Sequence, residues 1–143
     1  MGTPTLTIQS SSPEQTAQIA GDFAATLRGG ECLALHGELG AGKTQFIRGL
    51  VAGLNGPIRR VSSPTYVLLN VYSGGRLTVY HLDAYRVTGS VDFEAIGFSE
   101  LLEQGGVVAV EWAERIAALL PPNHIEIKIT PVDEHNRVIQ IAR

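Results

Sequence analysis

A chain that carries Gly37-Glu38-Leu39-Gly40-Ala41-Gly42-Lys43-Thr44 has few folds open to it. The run matches G-x-x-x-x-G-K-[ST], a loop whose glycines let successive backbone N–H groups converge on a phosphate. Lys43 adds a point charge for the outer phosphates, and Thr44 adds a hydroxyl for Mg²⁺. Such a loop belongs where a buried strand ends and a helix begins, because the first helical amides and the positive dipole end then face the anion. Both neighbours are present: Cys32-Leu33-Ala34-Leu35 reads as a short buried strand, and Gln45 to Leu54 reads as a helix whose start falls near Gly42. With 16 Gly, 18 Ser plus Thr and two Lys in 143 residues, chance would produce the pattern in roughly 0.3% of such chains. Nucleotide binding is therefore the first expectation.

The length suits one domain spanning 1–143, large enough to bury a core. A net charge of −3 gives no global field to hold nucleic acid. No apolar run approaches the ~18 residues of a membrane span, and the N-terminus has no basic segment followed by an apolar one. These features point to the cytoplasm and away from membranes. The single cysteine, Cys32, has no internal partner and sits in the buried strand, so packing rather than reactivity is its expected role. The four histidines have no metal-ligand spacing, which argues against a structural zinc site.

Taken in order, Thr5 to Gln9 alternates weakly, as an edge strand does. Ser12 then reads as an N-cap, with Pro13 at the first helical position and Gln15 closing a capping box. That helix is expected to run to about Leu27, burying Ile19, Ala20, Phe23, Ala24 and Leu27, and to stop at Gly29-Gly30. After the loop and its helix, Tyr66 to Tyr72 and Arg76 to Leu82 form a hairpin across Ser73-Gly74-Gly75. A helical patch covers about Val91 to Glu103, interrupted by Gly97. Val107 to Val110 reads as a strand buried on both faces, Glu114 to Leu120 as a short helix. Ile125 to Ile129 alternates strictly and pairs with Arg137 to Ile141 across the intervening turn. The sum is an α/β fold, P-loop NTPase-like, with three layers, a mixed sheet and an antiparallel hairpin.

Three constellations surround the loop. Glu111 closes the apolar strand, the place from which an acidic residue holds Mg²⁺ beside a phosphate site, and Trp112 reads as a packing residue covering that site. His81-Leu82-Asp83-Ala84-Tyr85-Arg86 ends another strand, with His81 and Asp83 on one face. Asp83 there binds Mg²⁺ or orients the attacking water, while Arg86 neutralises charge on the γ-phosphate; a plain Asp83–Arg86 ion pair is the alternative. Ser62-Ser63-Pro64-Thr65-Tyr66 presents Thr65 to the γ-phosphate side, as switch-loop threonines do, or is an ordinary turn.

Together these residues carry a resemblance. Gly37 to Thr44, Ser63-Pro64-Thr65-Tyr66, His81-x-Asp83-x-Tyr85-Arg86, Glu94-x-x-Gly97 and Glu111-Trp112 stand in one order and spacing. The chain resembles the bacterial ATPases required for making threonylcarbamoyladenosine in tRNA, the TsaE or YjeE type. The resemblance runs from Thr16 to the closing strands; Ala113 departs from it, standing where proline is frequent. It implies a cytoplasmic ATPase that uses ATP and Mg²⁺ and is weak alone. It also implies two sugar-kinase-like partner proteins, one of which transfers the threonylcarbamoyl group to the adenosine beside the anticodon. Hydrolysis would reset that complex between turnovers, with tRNA engaged indirectly. By matching positions, Thr44 and Glu111 hold the metal, and Glu38, Leu39, Gly40, Ala41, Gly42, Lys43, Thr44 and Gln45 hold the phosphates. On the same basis Lys43, Asp83, Glu111 and Thr65 serve hydrolysis, Arg86 completes the nucleotide contacts and Thr16 lies near the adenine.

Two other readings use the same loop. A small-molecule kinase would need an acceptor site and an arginine-rich lid, for which the chain has little length. A nucleotide-gated interaction module would bind without essential hydrolysis. A GTPase is disfavoured because Lys128 is followed by Ile129-Thr130 and no [NT]-K-x-D element is present.

Overall fold

The computed structural model describes residues 5–38, 42–61, 69–85, 94 and 97–143. The strands are β1 (Thr5–Ser10), β2 (Cys32–His36), β3 (Leu69–Tyr72), β4 (Val79–Asp83), β5 (Val107–Glu111), β6 (Ile125–Pro131) and β7 (Arg137–Ala142). They form one seven-stranded sheet in the order β1-β7-β6-β2-β5-β4-β3. Its centre, β6-β2-β5-β4, is parallel, and antiparallel strands flank it on both sides. Parallel strands must be covered on both faces, which explains the unbroken apolar run of β5 and its burial at every position.

The two faces are covered differently. Leu33, Leu35, Val107, Ala109, Ile127 and Ile139 lie under the helices α1 (Pro13–Ala24) and α2 (Lys43–Gly53). Cys32, Ala34, Val108 and Val110 lie under α3 (Phe98–Leu102) and the 3-10 segment Ala113–Leu119. This is the three-layer α/β arrangement that the strand and helix pattern predicts. α1 and α2 approach closely because small residues face one another: a Cβ on Gly49 would come within 2.0 Å of the Ala17 carbonyl oxygen, and one on Gly53 within 2.7 Å of that of Gly21.

Several boundaries differ from the sequence expectation, each for a local reason. Ser12 caps α1 by accepting from the Gln15 N–H at 3.0 Å, but the Gln15 side chain reaches the Ser11 N–H, one residue before the cap. α1 ends at Ala24 instead of Leu27, where the chain tightens into the shorter-range Thr26 N–H to Phe23 and Leu27 N–H to Ala24 bonds. The hairpin strand begins at Val79, not Arg76, because Arg76 is drawn toward the helices. Its guanidinium donates to the carbonyls of Ala24 and Leu27, each at 2.9 Å, and its N–H to that of Leu54. Glu114 to Leu120 is expected as a short helix; the segment is instead 3-10, kinked at Ile116. Of the helical patch from Val91, α3 follows Gly97, and the Glu94 carboxylate accepts the Ser99 N–H at 3.0 Å in place of a side-chain N-cap. Residues 91–93 and 95–96 lie outside the described residues, as do 66–68 of the first hairpin strand.

Candidate functional site

The parallel strands bring the chemistry to one edge. Leu35 pairs with Glu111, and Glu111 with Asp83, so the ends of β2, β5 and β4 align laterally. Neighbouring strands lie about 4.8 Å apart, and laterally paired residues share a face. Glu111 and Asp83 therefore point to the α1/α2 side, where β2 runs into the glycine loop and α2 begins. Gly42, in a left-handed conformation with φ of 110°, is the N-cap of α2 and supplies no side-chain acceptor. The first amides of α2 lack intrahelical acceptors by geometry, which makes them donors for an anion.

Lys43 is 5% exposed. Its Nζ donates to the Gly37 carbonyl at 2.7 Å and lies 4.0 Å from the centroid of the Trp112 ring. Burial pulls its pKa below the ordinary lysine value, and the Glu111, Glu114 and Asp83 carboxylates pull it back up. Trp112 adopts φ 58° and ψ 40°, a left-handed backbone that costs a non-glycine residue on the order of 1 kcal/mol. That turn lays the indole across Lys43 and against Tyr85, with ring centroids 4.9 Å apart. Trp112 thus covers the site, as its place after Glu111 suggests.

Asp83 is half-buried, and burial raises its pKa above the usual aspartate value. The Tyr85 N–H at 2.8 Å lowers it, Glu111 raises it, and Lys43 and His81 lower it. Glu111 is 4% exposed, and its Oε2 lies 2.5 Å from Nε2 of the fully buried His81. The other ring nitrogen of His81 meets the Tyr72 hydroxyl at 3.1 Å. Sequence reasoning places His81 on the face of Asp83 but not against Glu111, since that contact crosses between strands distant in sequence.

Thr44 is half-buried in the first turn of α2, and Glu38 is exposed at the loop's start. Thr16 and Gln45 line a cavity of about 150 Å³ together with Gly42, with Glu134 and His135 of the β6–β7 connection and with Arg137, the first residue of β7. Ser10 donates to the Ser12 carbonyl, so the Thr16 hydroxyl donates to Ser10 at 2.7 Å and is turned inward. The hairpin residues had no signal in the sequence, because nothing in a turn reveals which distant helix it will face. A larger apolar cleft of about 510 Å³, between β1, β7 and α1, lies away from this chemistry. Leu39, Gly40, Ala41, Thr65 and Arg86 lie outside the described residues.

A second polar group braces the loop's entry. His36, the last residue of β2, bonds Glu114 through Nδ1 at 3.0 Å, and its Nε2 lies against the Glu126 carboxylate. Glu126 in turn meets His124 at 2.6 Å. Burial lowers the His124 pKa, but its bonds to Glu126 and the Pro121 carbonyl outweigh this and hold it above the usual histidine value.

Fold and loop together define a P-loop NTPase-like domain whose parallel centre is flanked by antiparallel strands. The model of the family described as threonylcarbamoyl adenosine biosynthesis protein TsaE matches residues 10–139. A Treponema pallidum (strain Nichols) protein described as tRNA threonylcarbamoyladenosine biosynthesis protein TsaE is 41% identical over 133 residues, covering 93% of this chain and 97% of its own length. A Bacillus subtilis (strain 168) protein of the same description is 40% identical over 127 residues, covering 89% of this chain and 78% of its own. The crystal structure of Bacillus subtilis YdiB matches with a TM-score of 0.82 at 32% identity, covering 99% of this chain and 87% of that one. The chain belongs to the TsaE family of tRNA threonylcarbamoyladenosine biosynthesis.

Proposed function

We propose that this chain binds ATP with Mg²⁺ and hydrolyses it as the ATPase subunit of the machinery that forms threonylcarbamoyladenosine beside the tRNA anticodon. Hydrolysis, weak in the isolated protein, resets or activates the transferase between turnovers. The partners are two sugar-kinase-like proteins, the compartment is the cytoplasm, and tRNA is engaged through the partners. The observation that carries the reading is the lateral alignment of Glu111 and Asp83 beside the start of α2, with both carboxylates coupled to Lys43.

The donor set suits magnesium. A hydroxyl from Thr44 and a carboxylate from Glu111 are hard oxygen ligands, and Mg²⁺ in phosphate sites takes one or two protein ligands plus phosphate oxygens and water. When bound, the ion offsets charge developing on the terminal phosphates. The amides of the Glu38–Gln45 stretch and Lys43 hold those phosphates, and by matching family positions Thr65 and Arg86 are assigned to the γ-phosphate. Asp83, with a raised pKa and a place beside Glu111, orients the water and takes a share of its proton. Trp112 and Tyr85 exclude bulk solvent from Lys43. The cavity beside Thr16 is smaller than the ~300–1,000 Å³ of whole-ligand pockets, which suits the adenine ring alone. Thr16 would offer that ring its methyl group, since its hydroxyl is turned to Ser10.

The test is ATP turnover by the purified chain with and without the two partners. Slow turnover alone that rises severalfold on their addition supports the reading. Fast turnover indifferent to partners would overturn the reset role, and saturable phosphate transfer to a small-molecule acceptor would identify a kinase instead.

A further inference from the structure

We propose that His81 is a positioning residue that sets the orientation of the Glu111 carboxylate toward Mg²⁺. The inference rests on the reading of Glu111 as a metal ligand. His81 has no exposed surface, and both ring nitrogens meet protein groups, Glu111 through Nε2 and Tyr72 through Nδ1. A carboxylate accepts only, so the proton between His81 and Glu111 belongs to Nε2. The Tyr72 hydroxyl holds Nδ1 on the opposite side of the ring at 3.1 Å.

Direction follows from the register. His81 pairs with Ala109, two residues before Glu111 on β5, and shares its face of the sheet. It therefore grips the carboxylate from behind, on the side toward the strand interior. The two oxygens of a carboxylate diverge, so fixing Oε2 on His81 leaves Oε1 directed away from that ring and free to meet a ligand. Without that grip the glutamate side chain is free to rotate about its last torsion, a broad and weakly restricted one. A buried polar pair also costs desolvation that two apolar side chains would not. Outer-shell hydrogen bonds of this kind typically govern metal affinity by ~10–100-fold.

The experiment titrates Mg²⁺ against binding of a fluorescent ADP analogue by the full chain, comparing wild type with His81→Leu, His81→Asn, His81→Gln and Glu111→Gln. Thermal melting and ADP binding in EDTA are measured alongside. Gln keeps an N–H near the reach of Nε2, whereas Asn keeps one near Nδ1 and falls short of Glu111. The expected result is an Mg²⁺ midpoint about tenfold higher for Leu and Asn, a midpoint near wild type for Gln, and unchanged binding in EDTA. If Leu does not fold, the Gln and Asn pair decides, and equal midpoints for those two overturn the proposal. A midpoint that moves for Glu111→Gln but for no His81 variant reduces His81 to a structural residue. A midpoint unmoved by Glu111→Gln removes the metal-ligand reading itself, and the proposal with it.

Discussion

The two ends of the parallel strands solve opposite problems. At the C-terminal end, a lysine, a glutamate and a histidine are buried together, α2 starts on a glycine without a side-chain cap, and Trp112 holds a left-handed backbone. At the N-terminal end, loose backbone groups are gathered in. Arg76 takes carbonyls from both long helices, and the Glu31 carboxylate accepts the N–H groups of Arg28 and Gly29 at 2.7 and 2.8 Å. The first end keeps polar groups available at a cost in stability; the second contributes stability and does no chemistry. Substitutions at the two ends should therefore separate binding from stability.

The largest effect is expected at the first end. Lys43→Ala removes the charged donor to the outer phosphates, worth ~1.5–3 kcal/mol per charge-assisted bond, so ADP affinity should fall by up to about 150-fold. The melting temperature should stay level or rise, because a desolvated ammonium leaves the interior. Isothermal titration and thermal melting check the two halves. A protein that melts well below wild type would show that Lys43 supports the fold and would erase the contrast between the ends.

Asp83→Asn comes next, with turnover reduced by about 100-fold and ADP affinity kept. Its pH dependence has a definite sign. Burial raises the folded pKa of Asp83 above the unfolded 3.8. Between those two values the folded state binds more protons, so this group's contribution to stability is lost as pH rises through the window. The Asn variant lacks that loss. Relative to wild type it should be more stable at pH 7, and the advantage should vanish below about pH 3.8. Denaturant unfolding at several pH values checks this, and a wild type that gains on the variant as pH rises would contradict the burial of Asp83.

Arg76→Ala tests the other end. Losing two charge-assisted bonds to helix-end carbonyls should cost about 2 kcal/mol and lower the melting temperature by several degrees, with ADP affinity unchanged. Weakened binding would mean that the ends communicate through α1 and α2.

These contrasts also mark how far sequence reaches. The loop, the buried strand before it and Glu111 at the end of β5 were legible because each is local: a fixed spacing, or an apolar run closed by a charge. The mixed sheet, with β5 buried on both faces, followed from the same runs. What escaped depends on contacts between remote segments. Arg76 reads as the start of a strand until α1 and α2 are placed beside it, and β4 then begins at Val79. His81 shows no partner in sequence because Glu111 becomes its neighbour only through strand pairing. The row of Ala17, Gly21, Gly49 and Gly53 carries a readable four-residue spacing, yet its meaning needs the two helices side by side.

The smallest expected effect lies at Cys32, the first residue of β2 at the stabilising end. Burial, with a contribution from Glu126, pushes its thiol up to about 12, so almost no thiolate exists near pH 8. Alkylation of the native protein should then wait on unfolding. Arg76→Ala should hasten it, by about tenfold for each ~1.4 kcal/mol lost when reclosing is fast, and Lys43→Ala should not. Cys32→Ala should cost about 1 kcal/mol, the worth of a small buried group, and leave ADP binding as it was. Mass spectrometry of the alkylated chain over time measures all three proteins. Equal labelling of wild type and Arg76→Ala would mean that the thiol is reached by a local opening that Arg76 does not guard, and the N-terminal end would then be less tightly closed than its hydrogen bonds imply.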